Sequence, residues 1–195
     1  MTRKSRRLQV SGFVEKRRGI TLISELKPTE RPKKRIEFLD RTAFSLDELA
    51  DMTIMSFGYS EEDREIHGDY QSVSDRDANR RILELIKKEV FGQSPPALWQ
   101  IALIDQRPAG LVVGFIPEAE YRPPHGVVGQ LSVLPGFRRR GVGMALLGRI
   151  HDEFRFRDCR YGFVGTPRSN HKALKLYEKA GYVRTFGQDE FEIQI

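Results

Sequence analysis

The chain reads as one α/β domain in which a mixed sheet carries helices on both faces. Three observations predict it. Its 195 residues are 39% hydrophobic and 31% charged, which suits one well-buried domain and is short for two. Apolar periodicity switches between 2 and 3.6 along the chain, in the order strand, two helices, three strands, helix, strand, helix, two strands. The stretch Leu131–Leu147 passes directly from an apolar strand through a Pro135-Gly136 turn into a helix, the joint from which such sheets are built.

Residues 1–35 read as a basic N-terminal extension and 36–195 as the domain proper. Met1–Arg7 is polar. Leu8–Val14 and Gly19–Ile23 have strand composition, and Glu15-Lys16-Arg17-Arg18 between them reads as a hairpin turn. Pro28–Arg35 reads as a basic linker. Arg35–Asp40 alternates as a first strand. Ser45-Leu46-Asp47-Glu48 opens a helix with a capping-box pattern, burying Leu46, Leu49, Ile54 and Phe57 and stopping at Gly58. Residues 59–70 form an acidic connector. A second helix starts near Ser74, with Ala78, Ile82, Leu85, Ile86 and Val90 on its buried side, and Gly92 and Pro95-Pro96 end it.

Leu98–Ile104 and Ala109–Ile116 are strands joined by a turn at Asp105–Pro108, with Trp99 in the core. Glu118–Pro124 is a polar loop before the strand Val127–Leu134. A helix from Gly141 to Phe156 buries Met144, Leu147, Ile150 and Phe154. Tyr161–Val164 is a strand and Asn170–Ala180 a helix. Tyr182–Phe186 and Phe191–Ile195 close the chain as a hairpin around Gly187-Gln188-Asp189.

The chemistry concentrates at the strand–helix joint. The first turn of a helix leaves N–H groups unpaired, and its dipole places partial positive charge there. Gly141 and Gly143 let an anion approach bare backbone, and Arg138, Arg139 and Arg140 add fixed charge. A phosphate or pyrophosphate cradle fits these residues; so does an ordinary strand–turn–helix with a basic, solvated turn. No Gly-Lys-Ser/Thr follows, so it is no P-loop, and the spacing is not Gly-x-Gly-x-x-Gly.

Arg138-x-x-Gly141-x-Gly143 after Val133-x-Pro135, followed by Asn170-x-x-Ala173-x-x-x-Tyr177-x-x-x-Gly181-Tyr182, resembles the two consecutive coenzyme A motifs of the GNAT superfamily of acyl-CoA-dependent N-acetyltransferases. The clear resemblance covers about residues 97–195; residues 36–96 fit by pattern and 1–35 not at all. It implies a mostly antiparallel sheet in which one parallel pair, here Val127–Leu134 and Tyr161–Val164, splays apart to form an acyl-CoA cleft. It implies acetyl-CoA as co-substrate, with no metal. Main-chain groups along Leu131, Ser132 and Val133 would pair with the pantetheine arm, the backbone from Arg138 through Val142 to Met144 would hold the pyrophosphate, and Asn170 would bond the arm or nearby backbone. Tyr177 would be the general acid for the leaving thiolate.

Composition bounds the partners. No run approaches 18 uncharged apolar residues and no signal-peptide core is present, so neither a membrane span nor secretion is expected. Cys159 stands alone, which rules out an internal disulfide framework and suits a reducing cytoplasm. His67, His125, His151 and His171 lack metal-ligand spacing. The net charge is +6, yet residues 1–35 hold 12 Lys/Arg and 3 Asp/Glu, so the basic character belongs to the arm and not to the body. That arm leaves nucleic-acid contact open, against the plainer reading of a solvated arm or packed hairpin. A homodimer is also left open.

Acetyl transfer needs an oxyanion donor, a thiolate acid and a route for the amine's proton. Backbone N–H groups near Val133 suit the first and Tyr177 the second. The strand before the signature, Gly126–Gln130, has no carboxylate, and Gln130 cannot take a proton. Glu118, Glu120, an acid of the 59–70 connector or a water chain remain candidates for the base. Those connector acids would favour a cationic acceptor; a solvated acidic loop fits them equally. Direct attack in a ternary complex is expected, because Cys159 has no His/Asp partner nearby in sequence. The rival readings are an acyl-CoA-binding regulatory domain without catalysis and a nucleic-acid-associated protein led by the basic arm.

Overall fold

A seven-stranded sheet runs in the order β2-β3-β4-β5-β6-β1-β7. The strands are β1 (Phe13–Glu25), β2 (Glu37–Asp40), β3 (Trp99–Ile104), β4 (Arg107–Phe115), β5 (His125–Val133), β6 (Tyr161–Pro167) and β7 (Val183–Ile193). The helices are α1 (Leu46–Phe57), α2 (Glu61–His67), the single turn α3 (Gln71–Ser74), α4 (Arg76–Lys87), α5 (Val142–Phe156) and α6 (His171–Lys179). The computed structural model describes residues 13–28, 36–67, 71–118 and 123–193. The polar start of the arm, most of the Pro28–Arg35 linker, Asp69, Tyr70 and Glu120 lie outside the described residues.

Every neighbouring pair is antiparallel except β5–β6. That pair is in register from His125↔Tyr161 to Val128↔Val164 and stops there. Beyond Val128, β5 continues paired to β4 alone, so the two parallel strands open a gap. At the same point β5 holds one extra residue: Val113 opposes Gln130 and Gly114 opposes Val128, leaving Gly129 as a bulge.

The bulge sorts side chains between two helical layers. Before it, a Cβ on Gly126 would sit 2.3 Å from the Phe154 ring of α5, so that face packs against α5. After it, Gln130 faces the other way and bonds Thr53 of α1 and Asn79 of α4. The core between the layers includes Trp99, Ile101, Leu111, Leu146, Leu147, Ile150 and Phe154, all fully buried. Each such side chain contributes about 1.5–3 kcal/mol on leaving water. Trp99 keeps a polar partner, donating from its indole to Ser94 Oγ at 2.8 Å.

The first helix begins as its capping box requires, with Glu48 N–H bonded to Ser45 Oγ and the Glu48 carboxylate accepting from Ser45 N–H. The two-residue turn Asp105-Gln106, both at positive φ, joins β3 to β4.

Four expectations are corrected. Glu15–Arg18 is no hairpin turn: β1 runs unbroken from Phe13 to Glu25, between β6 and β7. The closing hairpin is likewise one strand, in which Gly187, Gln188 and Asp189 pair with Ile20, Gly19 and Arg18. In both places pairing with a distant strand outweighs local turn preference. The acidic connector holds a helix, α2. The second helix buries Asn79, Leu83 and Ile86, whereas Leu85 and Val90 are exposed. Asp75 caps it through Ala78 N–H at 2.6 Å and sets that phase.

Candidate active site

The gap between β5 and β6 widens into a cleft of about 980 Å³. Its floor is β5 from Val128 to Val133; β6, α6, the α5 N-terminus, α1 and α2 wall it, and β1 adds Gly19 and Ile20. On an antiparallel strand, alternate residues bond the neighbour. Leu134 N–H donates to Ala109 on the β4 side, so the main-chain groups of Leu131 and Val133 point across the gap. Ser132 also lines the cleft, with its hydroxyl buried on the α1 face.

At the mouth, Pro135–Phe137 makes one 3-10 turn before α5. Arg139 (φ 61°) and Gly141 (φ 86°) are both left-handed, the backbone conformation from which anion-binding nests of N–H groups are built. Left-handed geometry costs a non-glycine residue about 1 kcal/mol, a strain that marks the loop. A Cβ on Gly141 would meet nothing within 4 Å, so its need for glycine comes from φ; at Gly143 a Cβ would stand 3.0 Å from Leu176 of α6. Arg138, Arg139, Gly141, Val142, Gly143 and Met144 all line the cleft.

The three arginines have separate environments. Arg138 is turned inward: its guanidinium donates to the Asp63 carboxylate at 2.9 Å, to the Ser56 carbonyl, and to the Val133 carbonyl at 3.3 Å. It ties the cradle to the ends of β5 and α1 and to α2. Arg140 lies over the Phe137 ring at 5.6 Å and is not among the lining residues. Arg139 lines the mouth with Lys172, Lys175 and Lys179 of α6.

Asp63 is the buried end of this bracket. Burial alone would raise its pKa, but hydrogen bonds from Arg138 and Ser60, with the charges of Arg138 and Lys172, hold it below the usual carboxylate value. His67, on the same helix, is pushed down to about 4 by burial first and by the Arg138 charge, against the pull of Asp63. It is therefore neutral at pH 7. Its ring packs edge-on against Phe57 at 4.6 Å, and its Nε2 faces the Asn170 amide at 3.5 Å. Asn170 caps α6 through Ala173 N–H at 3.1 Å. Both ends of the Asn170 side chain are thus engaged within the protein.

Tyr177, two turns further along α6, lines the inner part of the cleft and is only 5% exposed. Burial raises its phenol pKa, so at neutral pH it is a neutral O–H donor. Its ring leans on Tyr182 at 5.7 Å, and Tyr182 OH pairs with His151 Nε2 at 2.7 Å behind it.

The base candidates sort by position. Gln130 lines the cleft but its amide is spent on Thr53 and Asn79. Glu118 does not line it; Glu61, Glu62 and Glu65 are exposed on α2. Asp63 is the connector acid that reaches the cleft, clamped by Arg138. Cys159 is buried, with its thiol pushed up to about 11 by burial. Among the described residues no cluster of three His, Cys, Asp or Glu could hold a metal, and no helix is long and apolar enough to cross a membrane.

Sequence reasoning counted Asp63 only as one of the 59–70 connector acids, gave Phe57 only a packing role, and missed the part of Ser56 and His67 in the cleft and the Gly129 bulge. Asp63 carried a usable signal: Ser60-x-x-Asp63 is a helix-start box, and Ser60 Oγ does accept from Asp63 N–H at 3.1 Å.

Comparison with known proteins meets this geometry from the other side. Over 89 residues, 46% of its length, the chain is 29% identical to the N-alpha-acetyltransferase 30 of Xenopus laevis, and it spans 33% of that protein. Among solved structures it matches a GCN5-related N-acetyltransferase from Sphaerobacter thermophilus (TM-score 0.63, 22% identity, 95% of this chain and 54% of that one). It also matches the NatC complex bound to Gag peptide and CoA (TM-score 0.56, 19% identity, 78% of this chain and 87% of that one). At these identities the structures speak for the fold. The profile of the Acetyltransferase (GNAT) family matches residues 59–182, which takes in α2, the splayed pair, the cradle and Tyr177. A match of that extent, on the segment that builds the cleft, makes the chain a member of the GNAT acetyltransferase family.

Proposed function

We propose that the protein is an N-acetyltransferase that carries an acetyl group from acetyl-CoA to a primary amine by direct attack in a ternary complex. The observation that carries this reading is the junction of three features in one cleft: unpaired strand edge, basic N–H cradle and buried tyrosine. The pyrophosphate would lie at residues 138–144, and the pantetheine arm along the free edges of Leu131 and Val133. The Val133 carbonyl already accepts from Arg138, so its N–H is the group left to face the thioester. Such a preorganised donor would polarise the carbonyl as charge develops.

Tyr177 would donate its proton to the departing thiolate. A raised phenol pKa keeps Tyr177 protonated at neutral pH, so that it can hydrogen-bond the developing thiolate as the C–S bond breaks. The amine's proton would leave through water, since Asp63 and Gln130 are committed elsewhere. Asn170 acts here through the α6 cap and His67, a change from direct contact with the arm.

Calorimetric titration with acetyl-CoA tests the reading, with inorganic phosphate and ATP as controls. Micromolar binding specific to acetyl-CoA, about −8 kcal/mol, followed by amine-dependent thiol release, is the expected result. Equal affinity for ATP would reduce the cradle to a generic phosphate site.

A further inference from the structure

An acceptor enters as a protonatable amine, so the charges facing the cleft decide which amines it admits. Among the described residues, five permanent cations line it (Arg138, Arg139, Lys172, Lys175 and Lys179) against one carboxylate, Asp63. Asp63 is already paired with Arg138 at 2.9 Å. Lys172 is paired with Glu62 at 2.6 Å, and the phosphates of acetyl-CoA, about four negative charges at neutral pH, would occupy Arg139, Lys175 and Lys179.

The opposite half, between β5 and the α1–α2 corner, is lined by Ser56, Phe57, His67, Val73 and Gln130. None of these is charged at neutral pH, since His67 titrates near 4 because it is buried; the Asp63 carboxylate beside them is held by Arg138 at 2.9 Å. Phe57 is held edge-on by His67, at 62° between the rings, and presents a fixed apolar wall. Of the acids expected to recognise a cation here, Glu61, Glu62 and Glu65 are exposed on α2. A second ammonium entering this half would shed water and, among the described residues, meet only a carboxylate already paired with Arg138, which is costly. A single amine on a neutral frame bears no such penalty once it is deprotonated for attack.

Resting on the acetyl-transfer reading above, we propose that the α1–α2 half of the cleft selects a monoamine on an uncharged, partly apolar frame, with Phe57 and Val73 as specificity-determining contacts, and rejects polycationic amines.

Thiol release at saturating acetyl-CoA, with phenethylamine and spermidine as probes, tests this. The expected kcat/KM for phenethylamine exceeds that for spermidine by about tenfold or more, equivalent to about 1.4 kcal/mol. Spermidine should also fail to inhibit phenethylamine acetylation. Val73→Glu supplies a carboxylate in this half, so the ratio should fall toward or below unity while acetyl-CoA affinity is kept. Spermidine acetylated as well as phenethylamine by the wild type, or competing with it, overturns the assignment and leaves the enzyme reading standing. So does an unmoved ratio in a Val73→Glu protein that binds acetyl-CoA normally. Bound acetyl-CoA with neither amine consumed overturns both, and absent acetyl-CoA binding removes the reading beneath them.

Discussion

Asp63→Asn isolates the bracket that joins the cradle to α2. The amide keeps the shape of the carboxylate but not its charge: Ser60 Oγ and Arg138 both donate to one oxygen, Oδ2, so an amide oxygen there still accepts from both, and what is lost is the charge that strengthens the Arg138 bond. Asp63 is buried, its side chain 8% exposed against 31% for Arg138, so water recovers only part of the loss. A hydrogen bond to a charged partner contributes about 1.5–3 kcal/mol, and Arg138 retains the Ser56 and Val133 carbonyls. A loss of about 2 kcal/mol follows, or about 4–8 °C in Tm for a domain of this size. Thermal unfolding followed by Trp99 fluorescence measures it, because Trp99 is the chain's only tryptophan and is fully buried. The sign with pH is fixed. Asp63 has a depressed folded pKa, so its contribution is present above the ordinary carboxylate value. It is lost as pH falls through the folded one. The gap between wild type and variant should therefore close in acid. Glu62→Gln, which breaks the exposed pair with Lys172 (59% and 60% exposed), should change little and serves as control. A Tm within about 1 °C of wild type, or a gap indifferent to pH, would refute the bracket.

Tyr177→Phe should lower kcat by about a hundredfold with acetyl-CoA affinity unchanged, as expected on losing a general acid; full activity in single-turnover assays would move that role elsewhere. Gly143→Leu should abolish acetyl-CoA binding in calorimetry, since even a Cβ meets Leu176 at 3.0 Å. His67 and His151 both titrate near 4 in the fold because burial disfavours their charged forms. Below pH 6.5 the unfolded chain takes up protons that the folded one refuses, so denaturant midpoints should fall as pH drops from 6.5 to 4, and His67→Gln should flatten that slope. Deleting residues 13–25 should prevent folding, as judged by circular dichroism, because β1 is bonded on both edges; removing residues 2–12 alone, with β1 kept, tests the arm for nucleic-acid binding.

What the sequence made legible is what local rules govern. The Ser45 capping box, the Asp105–Pro108 turn, the Trp99 core position and the strand–turn–helix at 131–147 each depend on residues close together in the chain. The termini were misread because their partners are distant. β1 and β7 pair with each other across more than 160 positions of sequence, as in Thr21↔Phe186, and nothing local announces it. Strand composition at Gly19–Ile23 was visible; its place beside β6 was not. The phase of α4 was lost by one position for a similar reason. Asn79 looks like a surface residue until Gln130, 51 positions away, supplies its buried partner. Of the residues the motif resemblance assigns to cofactor contact, all but Arg140 line the cleft. The arginines' environments were not legible, since Arg138 faces inward only because Asp63 waits there.

The Gly129 bulge ties these threads into one event. Had β5 continued without an extra residue, Gln130 would share the face of Val128 and point at α5, where Gly126 and Gly114 already leave room only for Phe154 and Ile150. The added residue reverses the faces. It sends Gln130 to Thr53 and Asn79, brings Leu131 and Val133 onto the α5 side, and falls where the ladder to β6 ends. Separation of β5 from β6 and the free edge that a pantetheine arm would use are therefore not two adaptations. A bulge increases local twist, and the twist that carries Gln130 into the helical layer also carries the strand away from β6. The absence of a carboxylate on this strand has the same origin. At the position after the bulge the side chain enters a buried polar network with Thr53 and Asn79, where an ionised glutamate would face the Asn79 amide donor but also the Thr53 hydroxyl, already committed to the Leu49 carbonyl. A neutral amide satisfies both neighbours, donating to one and accepting from the other. On the acetyl-transfer reading, proton removal from the acceptor would fall to solvent, because the side chain at this corner of the sheet is engaged with Thr53 and Asn79.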